Sequence, residues 1–314
     1  MNNFDIPILF IIFNRLDTTK QVFDEIRRLQ PLKLYIASDG PRKNRDGEDK
    51  IVEAVRSYVI NSIDWNCQVK TFFREKNLGC GKAVSGAISW FFQYEEMGII
   101  LEDDCLPSTS FFSYCKELLE KYKDDQRIFH ITGHNPLTIV ESPYSYYFSR
   151  IQHCWGWASW KRAWDKYNFD INDLDDFVLN KKIDYIFKKK EEKTYWLNVF
   201  KQMVDHKIDT WDYQWTYSIF NNNGYCINPT KNLITNIGFN QNATHTFDSN
   251  SIYSNQPIYI ISEIVHPKKI IINNNLMKKI SKIAFQINTS FINSLKNYIP
   301  NYIKKPIKKL FLLK

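Results

Sequence analysis

Three adjacent carboxylates, Glu102, Asp103 and Asp104, directly follow the apolar run Ile99-Ile100-Leu101. Like charges this close repel unless a cation, or a metal carried on a diphosphate, holds them together. The run before them suits a strand buried on both faces of a parallel sheet. Acids just past such a strand lie where open α/β sheets take ligands, beyond the carboxyl ends of the strands. A solvated acidic loop is the plain alternative. Arg15 follows the apolar run at 6–13 and can pair with a phosphate or a base, or sit in solvent. Asp39, in Ser38-Asp39-Gly40-Pro41-Arg42, can accept a hydrogen bond from a base imide or a ribose hydroxyl, although turns use Asp freely. Lys82 closes Gly79-Cys80-Gly81-Lys82, a helix start whose N–H groups and dipole favour anions. The Walker A spacing is absent there.

Further along, Asp212 lies between Trp211 and Trp215. An aromatic setting desolvates a carboxylate and suits it to act as a general base. Asp209 is the reserve for that role. Tryptophans 155, 157 and 160 can form a sugar-stacking wall or belong to the core. His245, in Asn-Ala-Thr-His-Thr, is a lone histidine, and such residues are more often structural than ligating.

The elements that must position these groups alternate. Strands are expected at 6–13, 32–37, 69–73 and 99–101, with helices from about residue 17 to 29 (capped by Asp17 or a following Thr), at 50–61 and at 79–94. That order indicates a parallel, Rossmann-like sheet. Beyond Pro107 the pattern loosens. Helices are expected at 111–123 and 195–207 and from 211, with strands at 128–132 and 225–227. The charged stretch 170–193 is expected to be a surface insertion.

With 314 residues, 44% of them hydrophobic, the chain has ample sequence for a core and is not a disordered protein. Its six cysteines form no C-x-x-C pair, and no basic leader or run of about 20 apolar residues stands out. Reduced thiols and a cytoplasmic setting are therefore expected. Eleven lysines and no acid fall in residues 265–314, so +8 less eleven leaves residues 1–264 at −3. An acidic body argues against a nucleic-acid partner. In the basic tail, Ile280, Ile283, Ala284, Ile287 and Phe291 share a helical face flanked by lysines. This pattern predicts docking on an anionic membrane surface, peripheral on the inner face of the cell membrane, with packing on the body or dimerisation as alternatives.

Taken in order, these residues resemble the N-acetylglucosaminyltransferase I clan of GT-A glycosyltransferases and its bacterial relatives, over residues 5–248. Ile99 to Leu106 with Phe111-Phe112, the Trp155-Gly156-Trp157 segment and Trp211-Asp212 carry the resemblance. It implies a GT-A domain, with 1–107 as its nucleotide-sugar half and 108–264 as its acceptor half, followed by the tail 265–314. It also implies inverting transfer of a GlcNAc-type or other hexose from a UDP-sugar, with Mn2+ or Mg2+, to a hydroxyl of a glycan acceptor, while the basic tail suits an acceptor carried on a lipid, as in surface polysaccharide synthesis. Asp104 would bind the metal, with His245 near it. Glu102 and Asp103 would orient ribose and donor sugar, Arg15 and Asp39 would lie near the base, and Lys82 would bind the nucleotide sugar. Asp212 would be the base. The chain departs from the family in having Tyr213 where a second aspartate is expected and Gly86 where a nucleotide-contacting histidine is expected. A catalytically silent sugar-nucleotide-binding or membrane scaffold protein is the alternative.

Overall fold

The computed structural model describes residues 4–239 and 256–287. Its first half follows the expected alternation: β1 (Ile8–Ile12), α1 (Leu16–Leu29), β2 (Lys33–Ser38), α2 (Glu48–Asn61), β3 (Gln68–Phe73), α3 (Cys80–Phe91) and β4 (Met97–Glu102). Then come β5 (Cys105–Pro107), α4 (Thr109–Lys121), β6 (Ile128–Thr132), β7 (Tyr146–Ser149), β8 (Trp157–Trp160) and α5 (Lys161–Trp164). The remaining elements are α6 (Leu174–Leu179), α7 (Ile183–Ile186), α8 (Lys190–Val204), α9 (Asp212–Asn221), β9 (Tyr225–Pro229), β10 (Ile234–Asn236) and α10 (Asn274–Ala284).

Eight strands form one sheet in the order β3-β2-β1-β4-β8-β6-β9-β7, and β10 pairs with β5 in a small antiparallel ribbon. Pairing is parallel from β3 through β4 and between β6 and β9. β8 runs antiparallel to both its neighbours, and β7 antiparallel to β9. The chain is therefore a mixed α/β protein with a mostly parallel central sheet flanked by helices. Side chains alternate across the sheet with period two. Leu9 joins the core under α3, α8 and α9, while Ile8, Phe10 and Ile12 join the core under α1, α2 and α4.

Four expectations need correction. No side chain caps α1 at its start; instead Thr18 and Thr19 donate their hydroxyls back to the Arg15 carbonyl. The aromatic segment, given no strand on sequence, contains one: Trp157 to Trp160 is a central strand that runs directly into α5, and it lacks a run of alternating polar residues because both of its faces are covered. The 170–193 insertion is not confined to the surface, since Phe177, Ile183, Ile186 and Phe187 are buried in the core. Finally, the described part of the tail packs on the body rather than offering a free face. Leu276, Met277 and Ile280 are buried, Ile280 completely, and Phe285 meets Trp196 edge-on at 4.9 Å. Ile283 is the exposed one. Phe291 and the lysines beyond it lie outside the described residues. Among the described residues no helix is long and apolar enough to cross a membrane.

Candidate active site

A cavity of about 680 Å3 opens beyond the carboxyl ends of β1, β2 and β4. This is within the range of small-molecule sites, roughly 300–1,000 Å3. Arg15, Asp39, Glu102, Asp103, Asp104, Asp209 and Asp212 all line it. Lys82 does not; it is exposed on α3. His245 lies outside the described residues.

The three acids of the triplet have different surroundings. Asp103 is buried and fully engaged: one carboxylate oxygen pairs with Arg15, and the other accepts the Phe13 backbone N–H at 3.0 Å. It thus clips the end of β1 to the end of β4. Burial pushes its pKa up, with Arg15 pulling the other way. Asp104 accepts from Arg15 Nη1 at 2.8 Å, and its other oxygen meets the Cys105 thiol at 3.4 Å. For Arg15, burial disfavours the charge, but the two aspartates more than offset it and its pKa rises. Glu102 has no hydrogen-bond or ion-pair partner among the described residues. Burial, and then the charges of Asp104 and Asp103, push its pKa up to about 8.

Asp39 accepts N–H groups from Gly40 and Leu78 at 3.0 and 3.1 Å, and so holds the loop leading into α3 at the cavity rim. Burial raises its pKa, opposed by these hydrogen bonds. Asp209 is also spoken for. Its oxygens accept the Cys80 and Gly81 N–H groups at 2.9 and 2.8 Å, capping α3 from 128 residues away. The α3 N-terminus, which on sequence suited an anion, already holds that carboxylate. Two glycines admit it. Gly79 has φ of +81°, and a Cβ there would lie 2.4 Å from Asp209 Oδ2; at Gly81 it would lie 2.7 Å from the Thr210 carbonyl. Gly79→Ala should therefore cost about 2–3 kcal/mol, and Asp209→Ala about 1–2 kcal/mol. In urea unfolding the double variant should lose less than the two added together, because both changes break one clamp. Full additivity would contradict the clamp.

Asp212 opens α9. One of its oxygens accepts the Thr210 hydroxyl, and its carbonyl accepts from Gln152 Nε2 at 3.2 Å and from Thr216 Oγ1 at 3.1 Å. The tryptophans fix this point. Trp157 stacks on Trp211 at 5.5 Å, and Trp164 lies 5.0 Å from Trp215. Trp157 and Trp160 are core, whereas half-buried Trp155 faces the cavity. Losing such a buried tryptophan costs about 3–5 kcal/mol.

Sequence reasoning missed Arg74. It leaves the end of β3, stands over the Phe72 ring at 4.4 Å and lines the cavity without an ion pair among the described residues. Gly86 makes room for it, since a Cβ there would lie 2.5 Å from Arg74 Nη2. The glycine that looked like a lost contact thus coincides with an arginine arriving from another element. The six cysteines are free, and burial holds the thiols of Cys80, Cys105 and Cys154 protonated.

Six carboxylates and three guanidiniums line this cavity, counting Arg42 with Arg15 and Arg74. It would repel a diphosphate arriving without a cation. Among the described residues no three His, Cys, Asp or Glu side chains are grouped to hold a metal ion. Mg2+-type sites, however, commonly use one or two carboxylates plus substrate phosphates and water. Glu102, unpaired among the described residues, and Asp104, one of whose oxygens meets only a thiol, fit that donor set.

No protein-family model matches the chain, and no curated protein matches it. Among solved structures it is similar to the mannosyltransferase PcManGT from Pyrobaculum calidifontis in complex with GDP-Man and Mn2+, at 15% identity over 50% of this chain and 45% of that one, with a TM-score of 0.35. It is also similar to mouse xyloside xylosyltransferase 1, at 11% identity over 68% of this chain and 81% of that one, with a TM-score of 0.34. A putative glucose-1-phosphate thymidylyltransferase from Bacillus anthracis is similar at 8% identity over 51% and 74% of the two chains, with a TM-score of 0.32. The chain spans less than half the length of the mannosyltransferase, and scores this low leave the function to be argued from the site.

Proposed function

We propose that this protein is an inverting glycosyltransferase that moves a sugar from a nucleotide-diphosphate sugar to an acceptor hydroxyl, assisted by Mn2+ or Mg2+. One observation carries the reading. Arg15 from β1, Asp39 from β2, Glu102 to Asp104 from β4 and Asp212 from α9 converge on a single cavity at the strand ends. Arg74, free of carboxylate partners among the described residues, meets the diphosphate. Arg15, neutralised by Asp103 and Asp104, instead braces the acids. Glu102 and Asp104 are the residues that would hold the ion, which when bound neutralises charge on the departing diphosphate. Asp212 accepts the proton of the attacking hydroxyl, and its hydrogen bond from Thr210 orients the carboxylate. A UDP-sugar is the donor that the family resemblance favours.

A panel of UDP- and GDP-sugars, each with and without Mn2+, tests this by thermal unfolding. A donor at about 100 times its dissociation constant should stabilise the fold by about 2.7 kcal/mol. That shift should need the cation and disappear in Asp104→Ala. Absence of any cation-dependent shift across the panel would defeat the proposal.

A further inference from the structure

A second cavity, of about 160 Å3, adjoins the first and shares Cys154, Trp155, Asp212 and Tyr213 with it. Gln152, His153 and Trp155 wall it from the segment between β7 and β8, and Tyr213 walls it from α9. Ala284 and Phe285, at the end of α10, also line it. Among the described residues no lysine or arginine lines it, and Asp212 is its one acid.

Two buried polar atoms in this wall lack partners among the described residues. Gln152 and His153 are only 6% and 8% exposed, yet Gln152 Oε1 and His153 Nε2 make no hydrogen bond. The Gln152 amide is oriented, because its Nε2 donates to the Asp212 carbonyl and, at 3.0 Å, to Thr216 Oγ1. Its oxygen is therefore left as an acceptor. Buried polar groups without partners cost about 1–3 kcal/mol each, so something that hydrogen-bonds here would be bound favourably. Much of the remaining wall is aromatic, from Trp155, Trp196, Tyr213 and Phe285. A cavity of about 150 Å3 accommodates a six-membered ring.

We propose that this cavity holds one neutral, hydroxyl-bearing saccharide ring of the acceptor beside Asp212, with the C-terminal helix α10 forming one of its walls. The proposal rests on the transfer reading above. The ring's C–H faces lie on Trp155 and Tyr213, and a small shift of the wall, which seals both atoms here, brings its hydroxyls to Gln152 Oε1 and His153 Nε2. An acidic sugar or a phosphate would find no cation there among the described residues and would face Asp212 instead. A segment that looks by sequence like a membrane anchor thus contributes, at its start, to choosing the acceptor.

The test uses the full chain and a set of neutral methyl hexosides, with methyl hexuronides as the charged comparison, read by saturation-transfer NMR. Nucleotide-sugar binding is measured on the same samples. At least one neutral hexoside should bind, and Ala284→Trp, which fills the cavity, should weaken it about tenfold or more. Phe285→Ala, which opens the same wall, should also weaken it and serves if the tryptophan variant does not fold. Hexoside binding that ignores both substitutions overturns the proposal, as does hexuronide binding of equal strength. So does failure of every hexoside while a nucleotide sugar binds, which would leave the cavity to ordered water. If hexosides bind through this wall but no nucleotide sugar binds, the cavity assignment stands and the transfer reading fails.

Discussion

Replacing Asp212 by asparagine is expected to lower the rate of sugar transfer about a thousandfold, within the range that a positioned general base supplies. The asparagine carbonyl can still accept the Thr210 hydroxyl, so the start of α9 keeps its geometry. Nucleotide-sugar binding should be at least as tight, because the change removes a negative charge beside an anionic ligand. Initial rates at saturating donor and acceptor are the measurement; a variant retaining a tenth of the rate, a loss of only about 1.4 kcal/mol, would rule Asp212 out as the base. Asp209→Asn is the informative companion. Both Asp209 oxygens are used by α3, so its loss should appear in stability first. The two substitutions together resolve a register that the sequence, with Tyr213 and Gln214 after Asp212, leaves open.

The second large effect is loss of stability in mild acid. Three histidines sit together in the core. His130 accepts the Trp215 indole N–H on Nδ1 at 3.2 Å, so its Nε2 carries the proton and donates to the His153 carbonyl at 3.1 Å. His134 meets Gln256 at 2.9 Å and packs edge-on against His153 at 5.4 Å. Burial depresses all three: His130 to about 3, His134 to about 4 and His153 well below its ordinary value. The folded state keeps them neutral while the unfolded chain protonates near pH 6.5. Their contribution is therefore complete above about pH 6.5 and is lost as the pH falls below it, at about 4 kcal/mol for the three by pH 5.5. Glu102 acts in the opposite sense. With its pKa raised to about 8, it destabilises the fold at neutral pH and relieves that burden on acidification, by up to about 3 kcal/mol between pH 7.5 and 5.5. Its residual exposure toward the cavity trims this figure. Urea unfolding of Glu102→Gln should thus fall by about 4 kcal/mol between pH 7.5 and 5.5, and the parent by clearly less. A flat profile for Glu102→Gln would refute the buried histidine cluster.

Much of the first half is legible in the sequence because its strands are short apolar runs separated by helices of clear 3.6-residue period. Val22 and Ile26, spaced for one face of α1, are both fully buried. The second half is less legible for a physical reason. β7 and β8 are four-residue strands rich in aromatics, and their places in the sheet depend on partners far along the chain. At the site, the residues singled out by sequence position, Arg15, Asp39, Glu102, Asp103, Asp104 and Asp212, line one cavity, whereas Lys82 is exposed on α3 and does not line it. It gave no sign that the helix start beside Lys82 would be filled by Asp209, since that pairing is set by tertiary contact alone. Arg74 could have been suspected only from the combination of Phe72 before it and the missing side chain at Gly86.

The Asp209 clamp also bears on the order in which the molecule assembles. During synthesis, α3 emerges long before the residue that caps it, and β4 appears before β8, its neighbour in the sheet. An early intermediate containing β1 to β4 therefore has an uncapped helix and an open sheet edge, both hazards for aggregation. Closing so long a loop is slow. Refolding should show a late phase in which cavity formation follows the first sheet, and that phase should be the one slowed by Asp209→Ala.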